Sequence, residues 1–116
     1  MSAHPTKLLF ICSRNRIRSL TAEKMLSGLP GYQVASAGTQ PGARVVVTSG
    51  QIRWADIIFC MEKSHLQKLR ARFPEELHGR QLIALHIPDE FEFMAEDLLD
   101  ELHTKIGMHV ALPVPE

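Results

Sequence analysis

Cys12, Arg18 and Ser19 are the residues of this sequence whose types and spacing suit them to chemistry. They stand in Cys12-Ser13-Arg14-Asn15-Arg16-Ile17-Arg18-Ser19: a cysteine, five residues, an arginine, then a serine. The apolar run Leu8-Leu9-Phe10-Ile11 precedes the block, and a helical pattern (Leu20, Ala22, Met25, Leu26) follows it. A short loop between a strand and a helix points several backbone N–H groups at one place, at the positive end of a helix dipole. Such a cradle suits a tetrahedral dianion, with Ser13, Arg14, Asn15, Arg16, Ile17 and Arg18 as its phosphate-binding stretch. Cys12 at its floor reads as a nucleophile, because the N–H groups, the dipole and Arg18 all favour a thiolate. Arg18 is suited to grip two phosphoryl oxygens at once and to stabilise the transition-state charge. Ser19 offers a hydroxyl to the thiolate, and Asn15 tolerates the left-handed backbone of a tight loop. The plainer alternative is a structural cysteine beside three solvated arginines. The serine directly after the arginine and the strand–loop–helix setting favour the chemistry.

The elements that must position these residues alternate along the chain. Residues 7–11 read as a first strand, short and apolar like a buried parallel strand. Residues 19–29 read as a helix closed by Gly28 and Pro30. A second strand is expected at 32–37. A second helix is expected at 43–54, although Val45-Val46-Val47 are poor helix formers and leave a strand as the alternative. A third strand (56–60), a basic helix (63–73, Leu66 and Leu69 inward), a fourth strand (81–87) and a last helix (94–106, Leu98, Leu99 and Leu102 inward) complete the pattern. Residues 1–5 read as a loose tail, and the end from Gly107, with Pro113 and Pro115, as extended. This alternation predicts an α/β three-layer sandwich: a four-stranded parallel sheet with helices on both faces. Ligands of such sheets bind beyond the carboxyl ends of the strands, where Cys12, Cys60 and Asp89 all fall.

Composition sets the bounds. A chain of 116 residues, 45% hydrophobic, is the size of one domain spanning 1–116. No apolar run approaches a membrane span and no signal peptide is visible, so a cytoplasmic location is expected. Two cysteines point to thiol chemistry rather than a disulfide scaffold. The six histidines and two cysteines show no metal-ligand spacing, so no metal or other cofactor is expected. Net charge is zero but unevenly spread: residues 1–72 carry +8 and residues 73–116 carry −8. A basic front around the loop suits an anionic substrate. The acidic cluster (Asp89, Glu90, Glu92, Glu96, Asp97, Asp100, Glu101) reads as a solvated helix face. The expected partner is a phosphorylated protein or a small phosphoester, neither membrane nor nucleic acid, and nothing in the sequence sets an oligomeric state.

The block resembles the phosphate-binding loop of the low-molecular-weight protein tyrosine phosphatases. Asn15 stands three residues after the cysteine, as in that family, and Ala22-Glu23 follows in the first helix. Ser36-Ala37-Gly38-Thr39, Ala55-Asp56-Ile57-Ile58 with Met61-Glu62-Lys63-Ser64-His65, and Ile87-Pro88-Asp89 match further segments in the same order. The resemblance implies a flavodoxin-like strand order 2-1-3-4 and a metal-independent phosphomonoesterase acting through phosphocysteine. It implies Cys12, Arg18, Asp89 and Ser19 as the catalytic set. Asp89 would protonate the leaving oxygen and then deprotonate the attacking water, its protonated form favoured by Glu90 and Glu92. Asp97 is the alternative acid. The departures from the family are specific. The chain is shorter, with the loss between Thr39 and Trp54, where a substrate-side segment normally lies. Arg14 and Arg16 replace a glycine and an apolar residue, Ile17 a cysteine, and Glu90 a proline.

Several readings stay open on the sequence. Arg14 and Arg16 are either loop-tip solubility or contacts to a second anionic group on the substrate. That second case would make the substrate a small or nucleotide-like polyanion. Arg44 faces the site or the solvent; Phe91 and Phe93 line the mouth or the core. Cys60 reads as a small buried hydrophobe, with a disulfide to Cys12 as the alternative. Trp54 reads as core. An arsenate reductase would need more relay cysteines than Cys60 supplies. A sugar-transport IIB-type phosphocarrier sits poorly with Arg18, and a non-catalytic phosphate-binding module remains the other class.

Overall fold

The computed structural model describes residues 4–113; residues 1–3 of the tail expected at 1–5, and Pro115, lie outside them. Eight elements alternate: β1 (Thr6–Cys12), α1 (Arg18–Leu26), β2 (Tyr32–Gly38), α2 (Ser49–Trp54), β3 (Ile57–Cys60), α3 (Lys63–Arg72), β4 (Gln81–Ala84) and α4 (Glu96–Gly107). The strands form one parallel sheet in the order β2-β1-β3-β4, as the resemblance implied.

β1 explains the layering. Its residues Leu8 to Cys12 are all buried, and the period-two geometry of a strand divides them between two faces. Leu8, Phe10 and Cys12 join one core cluster with Ala22 and Leu26 of α1 and Leu98, Leu102 and Ile106 of α4. Leu9 and Ile11 join the other, with Ile52 of α2 and Leu66 and Leu69 of α3. Phe10 and Phe59 stack on the first face at 5.5 Å between ring centroids. Each fully buried side chain of this size contributes about 1.5–3 kcal/mol before chain entropy is set against it.

The helix expected at 43–54 is corrected. Only Ser49–Trp54 is helical. Thr48 starts it with a capping box, accepting from the Gln51 N–H while the Gln51 side chain accepts from the Thr48 N–H. Ahead of it the β-branched Val45-Val46-Val47 run extended, and Val46 makes a parallel bridge to Gly38. The other bounds shift less. The first helix ends at Leu26, ahead of Gly28 with its φ of +84°. The fourth strand stops at Ala84, and His86 takes φ +57°. The last helix starts at Glu96, because Met94 is left-handed at φ +60°. Its inward stripe is Leu98, Leu102 and Ile106, while Leu99 is only half-buried. Residues 108–113, expected as extended, fold back onto the domain. Val110 and Leu112 pack on the first cluster, and the Tyr32 hydroxyl donates to the Ala111 carbonyl over 2.6 Å.

Candidate active site

The chain enters the site from β1, the strand where the order reverses: β2 lies on one side of it and β3 on the other. That switch point opens a crevice at the carboxyl end of the sheet. Residues 13–17 turn across it and α1 begins at Arg18. Asn15 makes the turn possible with φ +57° and is itself fully buried. No side chain caps α1 at Ile17, so the first N–H groups of the helix are left for a ligand.

Cys12 lies at the floor, 3% exposed. Its Sγ accepts from the Asn15 backbone N–H over 3.1 Å and lies 2.9 Å from Ser19 Oγ. Asn15 Nδ2 donates to that same Oγ over 2.8 Å, so with a thiolate present the Ser19 hydrogen has Sγ as its acceptor. Asn15 and Ser19 thus sit behind the sulfur. Asn15 Oδ1 and, in the neighbouring segment, Thr39 Oγ1 are buried without a hydrogen-bond partner among the described residues.

Arg18 is held by the segments that follow β3 and β4. Its Nη1 donates to Glu62 Oε2 at 2.6 Å and to the Ile87 carbonyl at 2.8 Å. Its Nε stands 3.7 Å from Asp89 Oδ1. The side chain is only 3% exposed, so the guanidinium is fixed in plane with Nη2 and Nε left free of hydrogen bonds among the described residues. The hydrogen bond from Arg18 holds the Glu62 carboxyl below its usual range, against partial burial. His65 lies beyond, 1% exposed. Burial first, then the Arg18 charge, push its pKa down to about 4, opposed by Glu62 and Asp89.

The cleft over the sulfur has a volume of about 410 Å³. Cys12, Ser13, Arg14, Arg16, Ile17 and Arg18 line it, together with Gln40 and Asp89. Every predicted site residue therefore lines the cleft or, for Asn15 and Ser19, backs its sulfur. Asp89 rides on a loop whose far end is pinned where the Met94 N–H donates to Thr21 Oγ1 of α1. Asp97, the alternative acid, stands in the first turn of α4 and accepts from the Leu98 N–H. Phe91 is half-buried against the first core cluster, and Phe93 is 46% exposed; neither lines the cleft. Arg44 braces the loop from behind, donating from Nε to the Asn15 carbonyl, while its backbone N–H donates to the Arg14 carbonyl. Gly38 lets that bracing segment close in: a Cβ there would meet Ser13 O and Ala43 Cβ, each at 2.6 Å.

The alternative disulfide is corrected. Cys60 pairs in register with Ile11 and belongs to the second cluster. Cys12 is one residue further along β1, in the first. The two side chains leave the sheet on opposite faces, and both thiols are free. Burial pushes the Cys60 thiol up to about 12, as suits a small core hydrophobe. Trp54 packs half-buried on the second cluster. Glu62 and His65 gained no role from sequence reasoning beyond the motif they stand in. Their signal was the Glu-x-x-His spacing at a helix start, a capping-box pattern that the structure realises.

No protein-family model matches the chain, and no curated protein does. Solved structures do. The arginine phosphatase YwlE of Geobacillus stearothermophilus is 25% identical over 88% of both chains, with a TM-score of 0.72. The tyrosine phosphatase Wzb of Escherichia coli K30 is 24% identical over 85% of this chain and 91% of its own, at 0.69. SP-PTP, a low-molecular-weight protein tyrosine phosphatase from Streptococcus pyogenes, is 15% identical over 91% and 94%, at 0.74. A Cys-x5-Arg loop at the carboxyl end of β1 in such a sheet defines a cysteine-dependent phosphatase. The chain shares its fold with low-molecular-weight protein tyrosine phosphatases and their relatives.

Proposed function

We propose that the protein hydrolyses phosphomonoesters in two steps through Cys12, in the cytoplasm. The observation that carries this is the convergence of Cys12 Sγ, the uncapped start of α1, the fixed guanidinium of Arg18 and the Asp89 carboxylate on one cleft. In the first step Sγ attacks phosphorus. The S–P bond forms, the P–O bond breaks, and Asp89 gives its proton to the leaving oxygen. In the second step Asp89 takes a proton from water, the water oxygen bonds to phosphorus and the S–P bond breaks. Ser19 donates to the departing thiolate. Arg18 and the loop N–H groups carry the charge of the equatorial oxygens, the task a metal ion has in other phosphatases. The location rests on the free thiols, which a reducing compartment preserves; no helix among the described residues is long and apolar enough to cross a membrane. The test is turnover of an aryl phosphate in the presence of a chelator. Wild type should be active and Cys12→Ser inactive. Retained activity in Cys12→Ser contradicts the reading, as does strict dependence on added metal. An arsenate reductase is disfavoured because Cys60 faces away from Cys12.

The substrate reading has its own observation. Arg14 and Arg16 are exposed, line the cleft, and make no ion pair or side-chain hydrogen bond among the described residues. No aromatic side chain among the described residues lines it. The substrate is therefore read as a phosphoester with a second anionic group, preferred over a plain phosphotyrosine or phosphoarginine peptide. An exposed arginine adds about 0.5–1 kcal/mol to such a contact, so two shift preference by roughly tenfold. The check is kcat/KM for both peptides and for a doubly phosphorylated small molecule, in wild type and Arg14→Ala/Arg16→Ala. A wild-type preference for a peptide, unchanged in the variant, contradicts it.

A further inference from the structure

One partly buried hydrogen-bond chain at the cleft takes no part in the transfer steps. The Glu62 backbone N–H donates to His65 Nδ1 over 3.0 Å, and His65 Nε2 lies 2.9 Å from Ser13 Oγ. A backbone N–H is only ever a donor, so it commits Nδ1 to accepting. The neutral ring then keeps its hydrogen on Nε2, and Nε2–H donates to Ser13 Oγ. With its oxygen accepting from the ring, Ser13 must send its own hydrogen elsewhere. It has no other side-chain partner among the described residues, and it lines the cleft beside Cys12.

The charge state agrees with this polarity. The groups that face the ring are Arg18, Glu62, Lys68 and Asp89. Burial, Arg18 and Lys68 outweigh the two carboxylates, and the ring is neutral at neutral pH, with a pKa of about 4. A second ring proton would sit on Nδ1 against the Glu62 N–H and break the cap of α3.

We infer that His65 is a positioning residue whose Nε2–H turns the Ser13 hydroxyl into a donor for a phosphoryl oxygen in the cleft. The inference rests on the phosphatase reading only for what occupies the cleft. Ser13 thus contributes a side-chain donor in addition to the loop N–H groups, and the first turn of α3 sets its direction. A histidine that served only to cap α3 would leave the same hydrogen bonds, so the test must separate the two roles. His65→Asn does so: at this position asparagine still offers an acceptor to the Glu62 N–H but is too short to reach Ser13 Oγ.

The probe is inorganic phosphate, with binding followed by calorimetry or amide shifts, so no turnover is needed. Ser13→Ala should raise the phosphate Kd by about tenfold, the worth of a hydrogen bond to a charged group. His65→Asn should raise it by about threefold or more, and the double variant should lose no more than Ser13→Ala alone. A wild-type Kd in His65→Asn overturns the inference, and so do losses that multiply in the double variant. Should His65→Asn fold poorly, the ¹⁵N spectrum of wild-type His65 decides. It should show a neutral ring protonated at Nε2 at pH 6–7; hydrogen on Nδ1 overturns the inference. Phosphate binding that depends on Ser13 in a protein without turnover would sink the phosphatase reading alone. An active enzyme with uncoupled Ser13 and His65 would sink only this inference.

Discussion

Arg18 shows how single residues divide the work at the site. One nitrogen, Nη1, is spent on Glu62 and the Ile87 carbonyl, which locks the guanidinium plane and leaves Nε and Nη2, on the proposed mechanism, for two phosphoryl oxygens. Asp89 stands at the edge of the same group, 68% exposed and 3.7 Å from Nε, where a leaving oxygen would emerge. This placement leads to a leaving-group prediction. Asp89→Asn should lower kcat for alkyl phosphates by 10²–10⁴-fold, the usual worth of a general acid, and lower it far less for p-nitrophenyl phosphate, whose leaving group needs no proton. Equal losses across a leaving-group series would show that the acid lies elsewhere. The residues of the loop were legible in the sequence because the motif is local: eight consecutive positions carry the floor, the rim and the turn. Glu62 and His65 were not, because their place beside Arg18 and Ser13 depends on the β1–β3 register, which no local pattern encodes.

At the scale of elements, the first turn of α3 has two tasks: it ends β3 beside Arg18 and buries an imidazole. His65 carries a pKa near 4 in the folded protein against about 6.5 when unfolded. Between those values the unfolded chain binds the extra proton, so stability falls as pH is lowered from about 6.5 to 4, by up to about 3 kcal/mol. Glu62, whose carboxyl is also lowered, contributes stability that is lost on the acid side as well, as pH falls through its folded value. Urea titrations at several pH values should show this acid slope in wild type and a shallower one in His65→Asn. Identical slopes would mean that the buried ring is not neutral. The elements were read with uneven success for physical reasons. β1 announces itself by an unbroken apolar run, and α4 by Leu98, Leu99 and Leu102, of which Leu98 and Leu102 are buried, while Ile106 completes the stripe. The 43–54 segment misleads because its spacing is helical while three consecutive β-branched residues prefer to extend along Gly38. The turns at His86 and Met94 have positive φ without glycine, so the residue type gives no sign of them in the sequence.

The whole molecule gathers these parts onto one rim. The sheet order brings the end of β1 between β2 and β3, α1 aims its free N–H groups into the crevice, and the segments after β3 and β4 supply Glu62 and Asp89 around one arginine. The order 2-1-3-4 followed from resemblance, since strand-and-helix alternation alone admits other arrangements. The +8 half of the chain, residues 1–72, contains the loop and its brace, while Asp89 comes from the −8 half. On the proposed mechanism, substrate binding and proton transfer are thus drawn from opposite ends of the charge distribution. All of this turns on a covalent bond between Cys12 and phosphorus. Acid quenching during turnover of an aryl phosphate, followed by mass spectrometry of the peptides, tests that bond directly. The phosphoryl group should be found on the peptide carrying Cys12, should be absent in Cys12→Ser, and should accumulate in Asp89→Asn, where attack by water loses its base. Steady turnover with no phosphorylated Cys12 peptide, or with the phosphoryl group on another residue, would contradict the account.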